Sequence, residues 1–100
     1  MSRLRVDLQE GFADDDVDIR INGRDSFHKQ GVTTKRTLGL ATSSEIEVPD
    51  DEPVNVEVEV PTKHLSKSIL LSVADSPHLG VSILNGEIKF IVSRKSFGYA

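Results

Sequence analysis

The amino-acid sequence predicts a small all-β domain, an antiparallel β-sandwich with no long helix. Three observations carry that prediction. Apolar and polar residues alternate with a period of two along the chain, most clearly in Val54-Asn55-Val56-Glu57-Val58-Glu59-Val60. Turn-forming residues interrupt these runs at short intervals, including Asn-Gly at Asn22-Gly23 and again at Asn85-Gly86. No window keeps apolar residues at helical spacing through successive turns. Such alternation describes strands with one face on a core and the other in water. A chain of 100 residues supports one such core and not two, so residues 1–100 read as a single sandwich domain.

Taken in order, Leu4, Val6 and Leu8 alternate with Arg5 and Asp7 in a first strand, and Val17, Ile19 and Ile21 with Asp18 and Arg20 in a second. A two-residue turn at Asn22-Gly23 would set Phe27 opposite Asp18 and mix the faces. The expectation is therefore a three-residue loop over Ile21, Asn22 and Gly23, which sets Val17 opposite Phe27. The stretch from Gly31 to Ser43 is the least regular and reads as a short strand or a crossing loop.

A loop from Pro49 to Pro53 would pair Val48 with Val54 and Ile46 with Val56. A loop from Pro61 to Ser66 would pair Val58 with Ile69 and Val56 with Leu71. A loop from Ala74 to His78 would pair Val73 with Leu79 and Leu71 with Val81. Parity identifies which residues share a face, not which strands share a sheet. Two of these connections are equally compatible with arches that cross between sheets.

The last turn is the most specific. A two-residue type I′ turn at Asn85-Gly86 sets Ile83 opposite Ile88, Val81 opposite Phe90 and Leu79 opposite Val92. Every inward pair is apolar, and a slip of one residue would turn the whole set outward. About seven or eight strands follow, and the pattern resembles an immunoglobulin-like or transthyretin-like sandwich more than a closed barrel.

Composition narrows the function classes. With 37% hydrophobic and 28% charged residues, the chain is too apolar for disorder and too polar for a membrane protein. No apolar run is longer than that at Ile69-Leu70-Leu71. Arg3, Arg5 and Asp7 stand where a signal peptide would need its apolar stretch. There is no cysteine, which removes disulfides, thiolate nucleophiles and cysteine metal sites. These features predict a cytoplasmic protein. The net charge of −4 and a basic cluster without interleaved aromatics (His28-Lys29, Lys35-Arg36) give no basis for nucleic-acid or membrane partners.

Candidate chemistry is sparse. Asp14, Asp16 and Asp18 start like an EF-hand calcium loop, but Ile19 stands where that loop needs glycine and no glutamate closes it. An acidic turn entering a strand explains the cluster. A second group, Asp50-Asp51-Glu52, would share a weak cation with Asp14 and Asp16 if both loops met at one end of the sandwich. His28, His64 and His78 are too scattered in sequence to suggest a zinc site. Asp75-Ser76-Pro77-His78 has triad residue types, but neighbours in a turn cannot align as nucleophile, base and orienter. No phosphate-binding loop, dinucleotide fingerprint or zinc-protease motif occurs, so no cofactor and no catalytic residue is expected. With Phe27 and Phe90 assigned inward, only Phe12, Phe97 and Tyr99 remain as aromatic platforms for a sugar.

One set of residues is apolar on the outward phase: Leu70, Leu84 and Ile91. If the last strands are adjacent, Leu70 and Ile91 join Ser68, Ser72, Gly80 and Ser82 in a low-charge outer patch. The tail with Phe97 and Tyr99 could cover it, or an unidentified protein or a second copy could pair there. The sequence thus points to a non-catalytic interaction module acting through a sheet face or an edge strand. The alternatives are a weak calcium- or carbohydrate-binding domain using the acidic loops, and an accessory domain of a larger assembly.

Overall fold

The computed structural model describes residues 2–49 and 52–99. Eight strands form among these residues: β1 (Ser2–Leu8), β2 (Asp15–Ile21), β3 (Arg24–Val32), β4 (Thr42–Val48), β5 (Val54–Val60), β6 (Leu65–Leu71), β7 (His78–Leu84) and β8 (Glu87–Ser93). They build two four-stranded sheets, ordered β4-β1-β7-β8 and β3-β2-β5-β6. The fold is the β-sandwich that the alternation predicts. The only helical element among the described residues is a short 3-10 turn over Pro61–Lys63. Among the described residues, no helix is long and apolar enough to cross a membrane.

The inward phase of each strand supplies the core. Leu4, Val6 and Leu8 of β1 meet Val17 and Ile19 of β2, all four valines of β5, and Leu79 and Val81 of β7, all essentially inaccessible to water. Each fully buried valine or leucine contributes roughly 1.5–3 kcal/mol over its exposed state. The β-branched residues of β5 also suit a pleated, half-buried surface.

The hairpin of β7 and β8 has the predicted register, with Ile83 opposite Ile88, Val81 opposite Phe90 and Leu79 opposite Val92. Asn85 and Gly86 both take positive φ, 54° and 74°, as a type I′ turn requires.

The other connections correct the expectation. The turn after β2 is two residues long, not three: Ile21 faces Arg24 across Asn22 and Gly23, both at positive φ. A bulge between the Arg20–Asp25 and Ile19–Phe27 pairs then absorbs one extra residue of β3 and returns Phe27 to the core face. The odd residue is accommodated in the strand instead of the loop. The β5–β6 turn is likewise tighter, because the 3-10 turn and a left-handed His64 reverse the chain in fewer residues. Val58 therefore faces Lys67 and Val56 faces Ile69. The slip is two residues, so the buried faces are unchanged.

The segments after β4 and after β6 are both arches. β4 and β5 lie in different sheets, as do β6 and β7, so Val48 does not pair with Val54 nor Leu71 with Val81. β1 is instead the strand that joins its sheet together. It runs antiparallel to β4 and parallel to β7, the one parallel pair among the described residues. Parallel neighbours need a long crossover connection, here the whole chain between β1 and β7.

Gly11 closes the end of this sheet. It follows β1 at φ 89°, and a Cβ built on it would sit 1.9 Å from the Ile83 carbonyl oxygen. The Ile83 amide donates to the Glu10 carbonyl at 2.7 Å, so backbone meets backbone where only glycine fits.

Candidate interaction surfaces

The arches decide where the outward apolar residues lie. Leu70, on β6, faces Asn55 on the outer side of one sheet, and Ile91, on β8, faces Gly80 on the outer side of the other. The two sit on opposite faces of the sandwich, so the single low-charge patch expected from the sequence does not form. Leu70 is 70% exposed and stands apart on a face dominated by charge. Elsewhere on that face, Arg20 donates to Glu59 at 2.8 Å, Glu57 at 3.1 Å and Asp25 at 3.1 Å, and His28 bonds Asp18.

The outer face of the β4-β1-β7-β8 sheet is partly closed by the chain's own C-terminus. The Phe97 ring meets His78 edge-on at 6.4 Å between centroids. The Tyr99 hydroxyl donates to Asp7 Oδ2 at 2.7 Å and accepts from Gln9 Nε2 at 3.0 Å. The Gln9 side chain lies over Gly80, and Ser82 Oγ accepts from the Glu10 amide. Gly80 and Ser82 are buried on their outward phase as a result, and Asp7 is only 1% exposed.

Burial would raise the Asp7 pKa. Hydrogen bonds from Tyr99, Ser43 and Arg5 outweigh it and hold the carboxyl below the usual carboxylate range. Burial and the adjoining Asp7 push the Tyr99 phenol up to about 12. Phe97 and Tyr99 are thus internal cover, not free platforms, and Phe12 is in the core at 3% exposure. No exposed aromatic pair remains among the described residues to receive a sugar ring.

The residues of the first acidic group have partners of their own. Asp14 and Asp16 sit at the start of β2, where their amides donate to Thr33 and Thr62 hydroxyls. Asp50 and Asp51 lie outside the described residues. The residues just after them reach the other end of β2, since the Asn55 amide donates to Asn22 Oδ1 at 2.9 Å. Among the described residues, no three His, Asp or Glu side chains converge as metal ligands.

Asp15 is the member of the cluster that the sequence reading passed over. It is buried, accepting from the Ala13 amide at 2.8 Å and the Thr62 hydroxyl at 2.7 Å and pairing with Lys63. Burial raises its pKa, but those three partners together hold it below the usual carboxylate value. Its parity with Val17 was the signal: a carboxylate on the inward phase of a strand needs internal partners.

No family model matches the chain, and neither a curated protein nor a solved structure matches it.

What remains is the sheet edges, of which there are four: β3, β4, β6 and β8. Bare edges invite pairing with other chains, and bulges, charges and inward-pointing lysines deter it. β3 carries two register shifts and the charges of Arg24, Asp25 and Lys29. β4 carries Glu45 and Glu47. β6 points Lys67 inward, opposite buried Val58.

β8, like β4, keeps its charges, here Glu87 and Lys89, on the outward phase. Its register is unbroken, and Phe90, Ile91 and Val92 follow one another with Ile91 55% and Val92 44% exposed. Lys67 reaches across from β6. Its Nζ donates to the Ile88 carbonyl at 3.2 Å and lies 5.8 Å from the Phe90 ring centroid. Leu84, 44% exposed, ends β7 beside the hairpin turn. Of the sequence-selected residues, Ile91 and Leu84 stay on this hairpin, while Leu70, Phe97 and Tyr99 lie elsewhere.

Proposed function

We propose that this chain is a non-catalytic protein-interaction module that works through the free edge of β8. The observation that carries this reading is that β8 is an edge strand of unbroken register with two successive apolar residues, Ile91 and Val92, exposed on it. An extended segment added to such an edge gains main-chain hydrogen bonds, while alternate side chains supply specificity. Ile91 on the outer side, with Phe90 and Val92 on the inner side, would provide the apolar contacts. A role as an accessory domain of a larger assembly is compatible with the same edge.

Of the two sandwich types that the pattern resembles, we take the transthyretin-like one. The immunoglobulin arrangement keeps its first, second, fourth and fifth strands in one sheet. Here β1 and β4 are divided from β2 and β5.

The test is affinity capture from native extract with the wild-type chain and an Ile91→Lys variant of equal melting temperature. Proteins retained by the first and lost by the second support the reading. Equal retention by both overturns it.

A further inference from the structure

We infer that the outer face of the β4-β1-β7-β8 sheet carries a receptor site for a partner's peptide segment with an aromatic residue two positions before a tyrosine, and that the chain's own C-terminal tail closes it. The site is built by residues outside the tail, and the tail is held only by the side chains it places there.

The site lies across β1 and β7, where Asp7 pairs with Gly80. Asp7 Oδ1 accepts from Arg5 Nε at 3.1 Å, and Ser43 bonds the same carboxylate from β4. That leaves Oδ2 for an incoming donor. The Gln9 side chain occupies the space left by Gly80, where a Cβ would stand 2.8 Å from both its Oε1 and its Nε2. Its Oε1 accepts from the Ser82 hydroxyl at 3.4 Å, which leaves Nε2 to donate.

One acceptor and one donor thus converge on a single point, filled by the Tyr99 hydroxyl at 2.7 Å and 3.0 Å. A phenol satisfies both, because it donates and accepts. An ammonium would leave Gln9 unpaired, and a carboxylate would be repelled by Asp7.

The tail itself is separable. Phe97, Gly98 and Tyr99 belong to no strand, and among the described residues they make no backbone hydrogen bond. Phe97 rests edge-on against His78, and both aromatic side chains are only half-buried. A Cβ at Gly98 would meet nothing within 4 Å, so the site reads the first and third residues and not the one between. A segment held by two side chains and no ladder opens without unfolding the sheets beneath it.

While docked, the tail competes as a tethered ligand at an effective concentration of roughly millimolar order. A partner's segment displaces it by adding contacts beyond the two rings. The site is on the sheet's face and independent of the β8 edge reading, so failure of either leaves the other standing.

The probe is acetyl-Ser-Phe-Gly-Tyr-amide at millimolar concentration, added to the full-length chain carrying Phe97→Ala and Tyr99→Ala together. The peptide is expected to raise the melting temperature of this variant and to shift the NMR signals of the Gln9 side-chain amide. The wild type, whose site is filled, is expected to bind about tenfold more weakly, as a site open about a tenth of the time would. The same peptide with phenylalanine for tyrosine is expected to lose about tenfold in affinity to the double variant, through the missing hydrogen bond to a charged group.

Should the double variant not fold, Tyr99→Phe keeps a ring in the tail and removes its hydroxyl. The tyrosine peptide is then expected to displace that tail and give the same Gln9 shift. No Gln9 shift in the variant that folds, equal affinity for the two peptides, or equal binding by wild type and variant overturns the site.

Discussion

Tyr99 and Asp7 define the most informative contact between single residues. Tyr99 is the only tyrosine and there is no tryptophan, so its ionisation can be followed by ultraviolet absorbance without interference. Burial and Asp7 favour the neutral phenol in the folded chain. The group's contribution to stability is therefore full below its unfolded pKa of about 10. It is lost as pH rises through the folded value of about 12. The expected titration midpoint is close to the higher figure, and Asp7→Asn should lower it. A midpoint unchanged from that of free tyrosine would show that the tail does not dock.

Gly11 makes a second prediction. Because a Cβ there would overlap the Ile83 carbonyl, Gly11→Ala must move backbone and should cost more than about 3 kcal/mol in urea unfolding. Neither feature was legible beforehand. Asp7 reads as an ordinary outward residue of an alternating strand, and its burial comes from a tail more than ninety residues away. Asp15 was closer to legible, since its inward parity was visible in the sequence.

Local chemistry governed the hairpins. The Asn85-Gly86 hairpin could be predicted to the residue because turn type, loop length and apolar pairing all agree. The same dipeptide at Asn22-Gly23 forms the same kind of turn, and the error lay in moving the odd residue from strand to loop. A bulge is a device of the ladder, so its place depends on the partner strand and edge position as much as on local sequence.

Gly86→Ala offers a contrast with Gly11→Ala. Gly86 also has positive φ, but a Cβ there meets nothing within 4 Å. The cost should be only that of a left-handed alanine, about 1–2 kcal/mol. Equal losses at the two positions in the same urea series would mean that the close approach at Gly11 is relieved by movement.

Across the whole molecule the connections that cross between the sheets separate features that lie close together in the sequence. They put Leu70 and Ile91 on opposite faces. Asp14 and Asp16 lie at the far end of β2 from Asn22 and its partner Asn55. Among the described residues, no three His, Asp or Glu side chains converge as metal ligands. Calcium at millimolar concentration is accordingly expected to leave the melting temperature unchanged, since a site filled a hundredfold above its Kd would add about 2.7 kcal/mol. A rise on adding calcium, reversed by a chelator, would restore the cation reading.

The alternation, the inward apolar residues of most strands and the last hairpin could be read from the chain alone, because each depends on a period of two and on neighbours a few residues apart. Which strands share a sheet could not, because parity is the same whether a loop turns back beside its strand or arches over to the other layer. That choice rests on how two apolar faces close on one another. It left Leu70 on a charged face and buried Asp7 under the tail. The sandwich therefore entered the structure as predicted, while its interaction surface moved from a broad outer patch to the edge of β8.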